Sequence, residues 1–375
     1  MRMFDEFENV TVREETIPEK FDLEKVLDVE ERIIEQYKND DRLKKSSRQR
    51  HLAYQSIYET AQEKLADVTI TSELLQEYID ARENTEENSE ALIRGMYSAV
   101  FLDIIYTTKQ TAQINLGGKG KTFNYLFCYV KNARNVTLQN IKGDHILTYA
   151  GIDEGHLDHI KLQNIKGHHL LAVAGLNGKI EHIHLDNITG SDTLYMAGRE
   201  KGSVKYAVLH NVNGDNTLKG AGIQGNLKQI TLQNIIGHGT LYSACANGDA
   251  KHITLQNITG IHTFFEAGGY NGLVEYAIFN EIKGRNALCY AGKEGKIEKI
   301  ALMNVRGKGL LLYAGSNEGC VENILKGNAL TKKQKKLFTQ ISALTKKIHL
   351  LSFEDQKIAH DEIAKLQEEI FSEVP

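Results

Sequence analysis

The fold is decided by residues 156–190, which read HLDHIKLQNIKGHHLLAVAGLNGKIEHIHLDNITG, so that Asn164 and Gly167 recur as Asn187 and Gly190. The same spacing continues on both sides with a period of 23 or 24 residues, and eight copies lie between about Gly117 and Gly327. One residue marks each copy and is followed three residues later by glycine: Asn140, Asn164, Asn187, Asn211, Asn234, Asn257, Glu281 and Asn304. A fixed period of this length is typical of solenoid folds.

Apolar residues keep the same register. Positions four and two before the asparagine are apolar in every copy, as Ile160 and Leu162 illustrate, and a third column follows the glycine: Leu147, Leu171, Leu194, Leu218, Leu241, Phe264, Leu288 and Leu311. Alternating apolar residues indicate a strand with one buried face. A unit this short cannot bury that face alone, so equivalent strands must stack about 4.8 Å apart. We therefore predict a parallel β-helix of about nine coils, about 40 Å long, with right-handed winding as the default.

Each coil has room for two longer strands, one short strand and the turns between them. The glycines are interpreted as turn residues with positive φ or as points where successive coils pack closely. The asparagine column is interpreted as a structural ladder, in which side-chain amides bind backbone or the amide of the next coil. Its members are Asn140, Asn164, Asn187, Asn211, Asn234, Asn257 and Asn304, and Glu281 interrupts it.

Glycine and charge divide the chain into three parts. Of the 32 glycines, only Gly95 lies outside residues 117–327. We predict an acidic α-helical domain over residues 1–110, the β-helix over 111–327 and a C-terminal helical cap over 328–375. Residues 1–110 carry 15 Lys and Arg against 25 Asp and Glu, whereas residues 111–330 carry 22 against 17.

Both flanks show helical periodicity. The first domain is predicted to hold about four helices between residues 21 and 108, and the tail two, over 331–347 and 353–371. Parallel stacks end in open sheet edges that other chains can pair with. The helical flanks are therefore expected to cap the ends of the array.

Composition limits the cellular compartments and the cofactors that the sequence predicts. No apolar run approaches the length needed to cross a bilayer. The first eight residues are charged rather than signal-like, which predicts that the chain stays in the cytoplasm. The four cysteines share no CxxC spacing and are interpreted as buried hydrophobes: Cys128, Cys245, Cys289 and Cys320. No cofactor is predicted.

One short stretch concentrates positive charge between two predicted helices, at Lys44, Lys45, Arg48, Arg50 and His51. As a nucleic-acid site it is too short, and its domain is acidic, which repels phosphate. We interpret it as a solvated helix face or loop.

Chemistry could lie on the outward face of the predicted sheet. Positions five, three and one before the asparagine point outward if the apolar positions point inward. This outer face forms a candidate ligand or interaction surface made of His159, His182, His184, Asp186, Tyr206, His210, His252 and Tyr276. Imidazole and carboxylate this close could hold a divalent metal, with His182, His184 and Asp186 as the candidate ligands. The alternative is a polar sheet face on which histidine is simply tolerated.

The repeat resembles right-handed parallel β-helix proteins in general and identifies no specific family. Some parallel β-helices are polysaccharide lyases or hydrolases, and the resemblance to them is in coil length. The repeat has no paired columns of Asp or Glu that could act in general acid–base catalysis, and the chain has no tryptophan to stack on a sugar ring. The spaced glycines also resemble the β-helix domains of glutamate synthase and of a formylmethanofuran dehydrogenase subunit, which are structural parts of larger enzymes.

The sequence therefore favours a non-catalytic scaffold or protein-interaction module that binds a protein partner or assembles with itself. The acidic helical domain could lie against the mildly basic solenoid of the same chain or of a second copy. Neither a membrane nor a nucleic acid is a predicted partner. The alternative is a carbohydrate-active or metal-dependent enzyme that uses the His-rich outer face.

Overall fold

The computed structural model describes residues 20–84, 86, 88–108 and 113–372. The charged segment 1–8, on which the cytoplasmic prediction rests, lies outside these residues. The N-terminal region contains four helices, α1 (Lys20–Tyr37), α2 (Ser47–Lys64), α3 (Ser72–Ala81) and α4 (Ser89–Thr107), with a 3₁₀ turn at Asp41–Lys44. The tail contains α5 (Lys332–Ile348) and α6 (Phe353–Phe371). Helical ends are thus confirmed.

Between them the chain forms a parallel β-solenoid of about nine turns, as predicted. Its strands pair in sequence order in one 10-stranded parallel sheet. The strands are β1 (Ile114–Gly117), β2 (Asn132–Gln139), β3 (His156–Lys166), β4 (Lys179–Thr189), β5 (Ser203–Asn213), β6 (Asn226–Ile236), β7 (Asp249–Thr259), β8 (Leu273–Lys283), β9 (Lys296–Met303) and β10 (Cys320–Lys326). Equivalent residues lie over one another, so that Leu162 pairs with Leu185 and Leu185 with Leu209, all fully buried.

The expectation of two longer strands per coil is wrong. In the described residues each coil contributes one strand to the sheet, and the opposite wall is a run of tight turns. Every second residue of this turn wall is left-handed, as at His145, Leu147 and Tyr149 with φ of 61°, 54° and 58°. Leucine in this conformation costs about 1–2 kcal/mol. Full burial and bonds to both neighbouring coils offset that cost: Leu147 N donates to Leu126 O at 2.8 Å, and Tyr149 N to Ala172 O at 2.9 Å.

The asparagines mark a corner of each coil. Asn164 has φ of 53°, which bends the chain just after the longest straight part of β3. Its side-chain Nδ2 donates to Asn140 Oδ1 at 3.1 Å, and similar bonds of 2.8–3.1 Å connect the following members as far as Asn257. Glu281 keeps the left-handed corner at φ 59°, and Asn304 donates instead to Asn280 at 3.4 Å.

A glycine follows each corner because the coils approach very closely there. A Cβ added to Gly167 would lie 1.8 Å from the carbonyl oxygen of Gly143 in the preceding coil. Such a contact with rigid backbone can be relieved only by separating the coils. The column therefore excludes every side chain, independently of φ.

The N-terminal helices close the first coil. Gln76 on α3 pairs with the open edge of β1, donating to the carbonyl of Gly117 at 3.1 Å and accepting from its N–H at 2.8 Å. Asp103 on α4 is buried and accepts from the backbone N–H groups of Lys131 and Asn132 at 3.1 and 2.7 Å. These bonds satisfy the strand edge that would otherwise be open to another chain.

The tail does not close the other end. Helices α5 and α6 form an antiparallel hairpin, in which Gln334 near the start of α5 donates to the carbonyl of Ile370 near the end of α6 at 2.9 Å. This C-terminal hairpin lies against the outward side of the sheet rather than over β10. Val208, Ile278 and Ala301 explain the placement: they are apolar, they point outward, and they are buried against the hairpin.

We predict that Gly167→Ala lowers the free energy of unfolding by about 1–3 kcal/mol, because overpacking forces two coils apart. Urea denaturation followed by circular dichroism measures the change. Gly117→Ala is the matched control, since a Cβ added there meets nothing within 4 Å, and it should stay within about 0.5 kcal/mol. Equal effects of the two substitutions would contradict close coil packing.

Candidate functional site

The outer face consists of three columns that run along the stack. The first contains His159, His182, Tyr206, Gln229, His252 and Tyr276; the second Lys161, His184, Val208, Thr231, Thr254 and Ile278; the third Gln163, Asp186, His210, Gln233, Gln256 and Asn280. Strand pairing thus brings all eight predicted site residues onto one surface. Most of that surface is buried, because the C-terminal hairpin lies on it.

Helix α6 crosses the strands along the direction of stacking. Its 19 residues span about 28 Å at 1.5 Å per residue, and the six strands β3 to β8 span about 24 Å at 4.8 Å per strand. The helix therefore presents a new side chain to almost every strand that it crosses. Phe353 meets β3 at one end, and Phe371 meets β8 at the other, 6.1 Å from the Tyr276 ring.

The first group of contacts lies at the start of α6. The Phe353 ring stacks on His159 at 4.7 Å between centroids and meets the edge of His182 at 4.9 Å. The His360 ring, seven residues after Phe353 on the same helix, lies 5.4 Å from the Tyr206 ring between centroids. A cavity of about 150 Å³ remains beside these rings, lined also by Glu181, Lys205 and Glu354.

The second group involves amides. Gln356 Nε2 lies 3.0 Å from His184 Nδ1, so that the ring nitrogen accepts and the proton resides on Nε2. Gln367 makes three bonds with β7: Oε1 lies 2.7 Å from His252 Nδ1, and Nε2 donates to Thr254 Oγ1 at 2.8 Å and to the carbonyl of Ile253 at 3.4 Å. The His252 ring also stacks on Tyr276 at 4.9 Å.

The third group is a hydrogen-bonded pair under the turn between the helices. His210 Nδ1 lies 2.8 Å from Asp186 Oδ1, and the His349 ring stacks on His210 at 3.5 Å. Burial raises the pKa of Asp186, but the hydrogen bond and the charge of His210 outweigh it, so that the pKa lies below its ordinary value. The carboxylate is therefore charged at neutral pH and already has a partner.

Three histidines at the core of this interface are neutral. Burial lowers the pKa of His182 to about 4 and the pKa of His184 and His360 to about 3. Their environment is also short of hydrogen bonds. Buried side-chain atoms without a partner at this interface include His184 Nε2, His360 Nε2, Gln229 Oε1, Gln233 Oε1 and Gln256 Oε1. Each such atom carries a desolvation cost that has no compensating bond.

The candidate metal ligands are engaged by other side chains. Among the described residues, no group of three or more His, Cys, Asp or Glu side chains is placed to hold a metal ion. In the candidate set, His184 is bonded to Gln356 and Asp186 to His210. The chemistry that the arrangement supports is side-chain packing between sheet and helix.

Sequence reasoning missed the residues of the tail that complete this surface: His349, Phe353, Gln356, His360 and Gln367. A signal was present in the strands, because Val208 and Ile278 occupy outward positions where a solvated face would carry polar residues. A second signal lies in α6, where these residues recur at helical spacing on one side.

We predict that acid loosens the hairpin before it unfolds the solenoid. Above pH 6.5, the ordinary pKa of histidine, the three side chains are neutral in both the folded and the unfolded chain. They therefore add no pH dependence to the free energy of unfolding in that range. Below pH 6.5 the unfolded chain takes up protons that the folded chain does not, until pH falls to the folded pKa values of about 4 and 3. The loss is about 1.4 kcal/mol per pH unit for each histidine. Hydrogen exchange of α6 amides between pH 7 and pH 4 measures it.

The double variant His182→Gln with His360→Gln should show a weaker pH dependence of α6 exchange. His238→Gln is the control, because His238 is exposed on another part of the coil and its replacement should keep the full dependence. An unchanged dependence in the double variant would show that other groups control the hairpin.

Comparison with known proteins yields no relative: no protein-family model, no curated protein and no solved structure matches the chain.

Proposed function

We propose that the protein is a non-catalytic β-solenoid scaffold that binds a protein partner at the C-terminal end of the solenoid. The observation that carries the proposal is the exposure of core positions in the last coil. Leu288 and Ile300 are fully buried, whereas Leu311 is half-buried and Ile324, which pairs with Ile300, is 40% exposed. Leu312 and Tyr313 are 46% and 56% exposed. Apolar groups concentrated at one end are typical of an interaction surface.

This open end has a definite chemistry. Lys326 pairs with Leu302, so that a charge stands where the preceding coils have an inward leucine. An inward charge on an edge strand discourages simple addition of another strand. Further exposed cations lie in the last coil and the first turns of α5, and they outnumber the exposed carboxylates of the last coil, Glu318 and Glu322: Arg306, Lys308, Lys332, Lys335 and Lys336. An apolar centre with a basic rim favours a partner whose own surface is apolar and acidic.

The alternative function, a carbohydrate-active or metal-dependent enzyme, would need the His-rich outer face. The chain's own hairpin occupies that face, and the cavity left beside Phe353 is about 150 Å³. A cavity of that size holds a single small ring at most, which is less than an oligosaccharide needs. These observations favour the scaffold over the enzyme.

The proposal places the scaffold in the cytoplasm. Its four cysteines carry free thiols, and Cys128, Cys245 and Cys289 are buried. Burial raises the pKa of all three thiols, which keeps them protonated and unreactive. Unpaired cysteines are typical of reducing compartments. In the described part of the chain, no helix is long and apolar enough to cross a bilayer.

We predict that the protein forms a defined oligomer or a partner complex through the open end. Leu312→Asp with Tyr313→Asp should abolish it, because the two carboxylates introduce charge into the apolar centre. Light scattering of the purified protein measures oligomers, and affinity capture with each variant measures partners. Leu350→Asp is the control, since Leu350 is 75% exposed on the hairpin. A monomer whose captured proteins are unchanged by the double substitution would contradict the proposal.

The two functions also differ in metal content. We predict that the purified protein holds no stoichiometric metal, and that His182→Ala with His184→Ala changes neither metal content nor partner binding. Elemental analysis of both proteins measures the first property. Stoichiometric metal that disappears in the double variant would favour the enzyme.

A further inference from the structure

A second cavity lies between the helical domain and the turn wall of the first coils. Its volume is about 210 Å³. Helix α2 contributes Arg50, and α4 contributes Leu92. The coils supply the remaining lining residues, which are Tyr125, Cys128, Tyr129, His145, Thr148, Tyr149, His169, Ala172, Val173 and Tyr195. The repeat, the hairpin and the open end do not account for this cavity.

Aromatic rings form ordered walls in the cavity. The His145 ring stacks between Tyr125 and His169, with centroid separations of 4.7 Å on both sides and interplanar angles of 4° and 8°. Tyr129 stacks on Tyr149 at 4.9 Å and 14°. The spacing follows from the stacking of the coils, because equivalent positions in successive coils carry the rings. Because these rings stack on one another, they direct their edges at anything that enters the cavity.

The described lining residues of the cavity include one arginine and no Asp or Glu. Arg50 makes no ion pair with a described carboxylate. Arg50 Nε donates to the carbonyl of Leu43 at 2.9 Å, which fixes the guanidinium at this place. Burial lowers the pKa of His145 to about 4, and His169 and Arg50 act in the same direction against Asp144. His145 is therefore neutral, and Arg50 is the permanent charge of the lining.

One buried hydroxyl has no acceptor for its proton. The Tyr129 side chain is 1% exposed, the Arg50 guanidinium lies beside its oxygen, and no described residue accepts a hydrogen bond from it. Burial raises the pKa of Tyr129, with Tyr149 and Cys128 adding to the rise and Arg50 opposing it. The hydroxyl is therefore a neutral donor beside a cation. A buried donor left without an acceptor costs about 1–3 kcal/mol, so a ligand oxygen here would gain that bond.

We propose that this cavity binds a small aromatic carboxylate with a single ring. A cavity of about 150 Å³ lined by apolar side chains holds benzene, so that 210 Å³ accommodates one ring with a carboxylate. The guanidinium of Arg50 pairs with the carboxylate, and the Tyr129 hydroxyl donates to it. The face of the ligand ring packs against the edges of the tyrosine and histidine rings, an edge-to-face arrangement that is favourable for aromatic pairs.

The test is isothermal titration of the full chain with benzoate and with benzyl alcohol, which has the same ring but no charge. We expect saturable binding of benzoate with one site per chain. The affinity for benzyl alcohol should be lower by about tenfold or more, because this compound lacks the charge-assisted bond to Arg50. Equal binding of the two compounds would overturn the proposal, since the cavity would then be selecting only for apolar shape. Absence of benzoate binding would overturn it as well.

Two variants separate the contributions. Arg50→Met should weaken benzoate about tenfold or more and leave benzyl alcohol unchanged, whereas Arg48→Met, two residues away and exposed, should leave both unchanged. Tyr149→Leu should weaken benzoate about two- to tenfold through the lost ring contact. Thermal unfolding of each variant establishes that it is folded. If an equal concentration of inorganic phosphate displaces benzoate, the cavity recognises only the negative charge. That result would overturn the proposal that it selects an aromatic ring.

Discussion

The structure depends on the register of identical coils held about one strand spacing apart. A coil of this length has too little chain to surround its own leucines. Leu162, Leu185 and Leu209 are therefore buried only because each lies over the next. The spacing then constrains every other column. It brings the side-chain amides of neighbouring asparagines within 3.1 Å and leaves no room for a side chain after the corner. It also allows leucine to remain left-handed, since two neighbouring coils bind that backbone.

The same spacing governs what covers the sheet. Helix α6 advances about 5 Å per turn, which is close to the strand spacing. One helix therefore contacts six strands, with a polar or aromatic side chain for nearly every strand. The hairpin therefore fastens coils to each other as well as covering them. The bonds are incomplete, however, because several buried imidazole and amide atoms have no partner. The burial of neutral histidines under the hairpin makes its attachment sensitive to protonation.

The two ends of the stack differ in kind. At the first coil, Gln76 and Asp103 satisfy the open backbone, and α4 packs against the core. At the last coil the apolar columns continue to the surface and are surrounded by lysine and arginine. A closed end and an open end suit a scaffold that presents one face to a partner. The aromatic cavity lies at the closed end, so that the proposed ligand and the proposed partner occupy separate surfaces.

Sequence alone determined the solenoid, its number of coils, its helical flanks and the outward position of the histidines, because all of these follow from a period between neighbouring coils. It failed at the second wall of the coil, since a run in which every second residue is left-handed has the same two-residue period as a strand. Only the tertiary structure decided what the histidine face does. His184 and Gln356 lie 172 residues apart, and an ordinary glutamine on an amphipathic helix carries no signal of the strand that it will meet. Periodicity encodes contacts between repeats, whereas a contact between a repeat and a single helix depends on the shapes of both surfaces once each has folded.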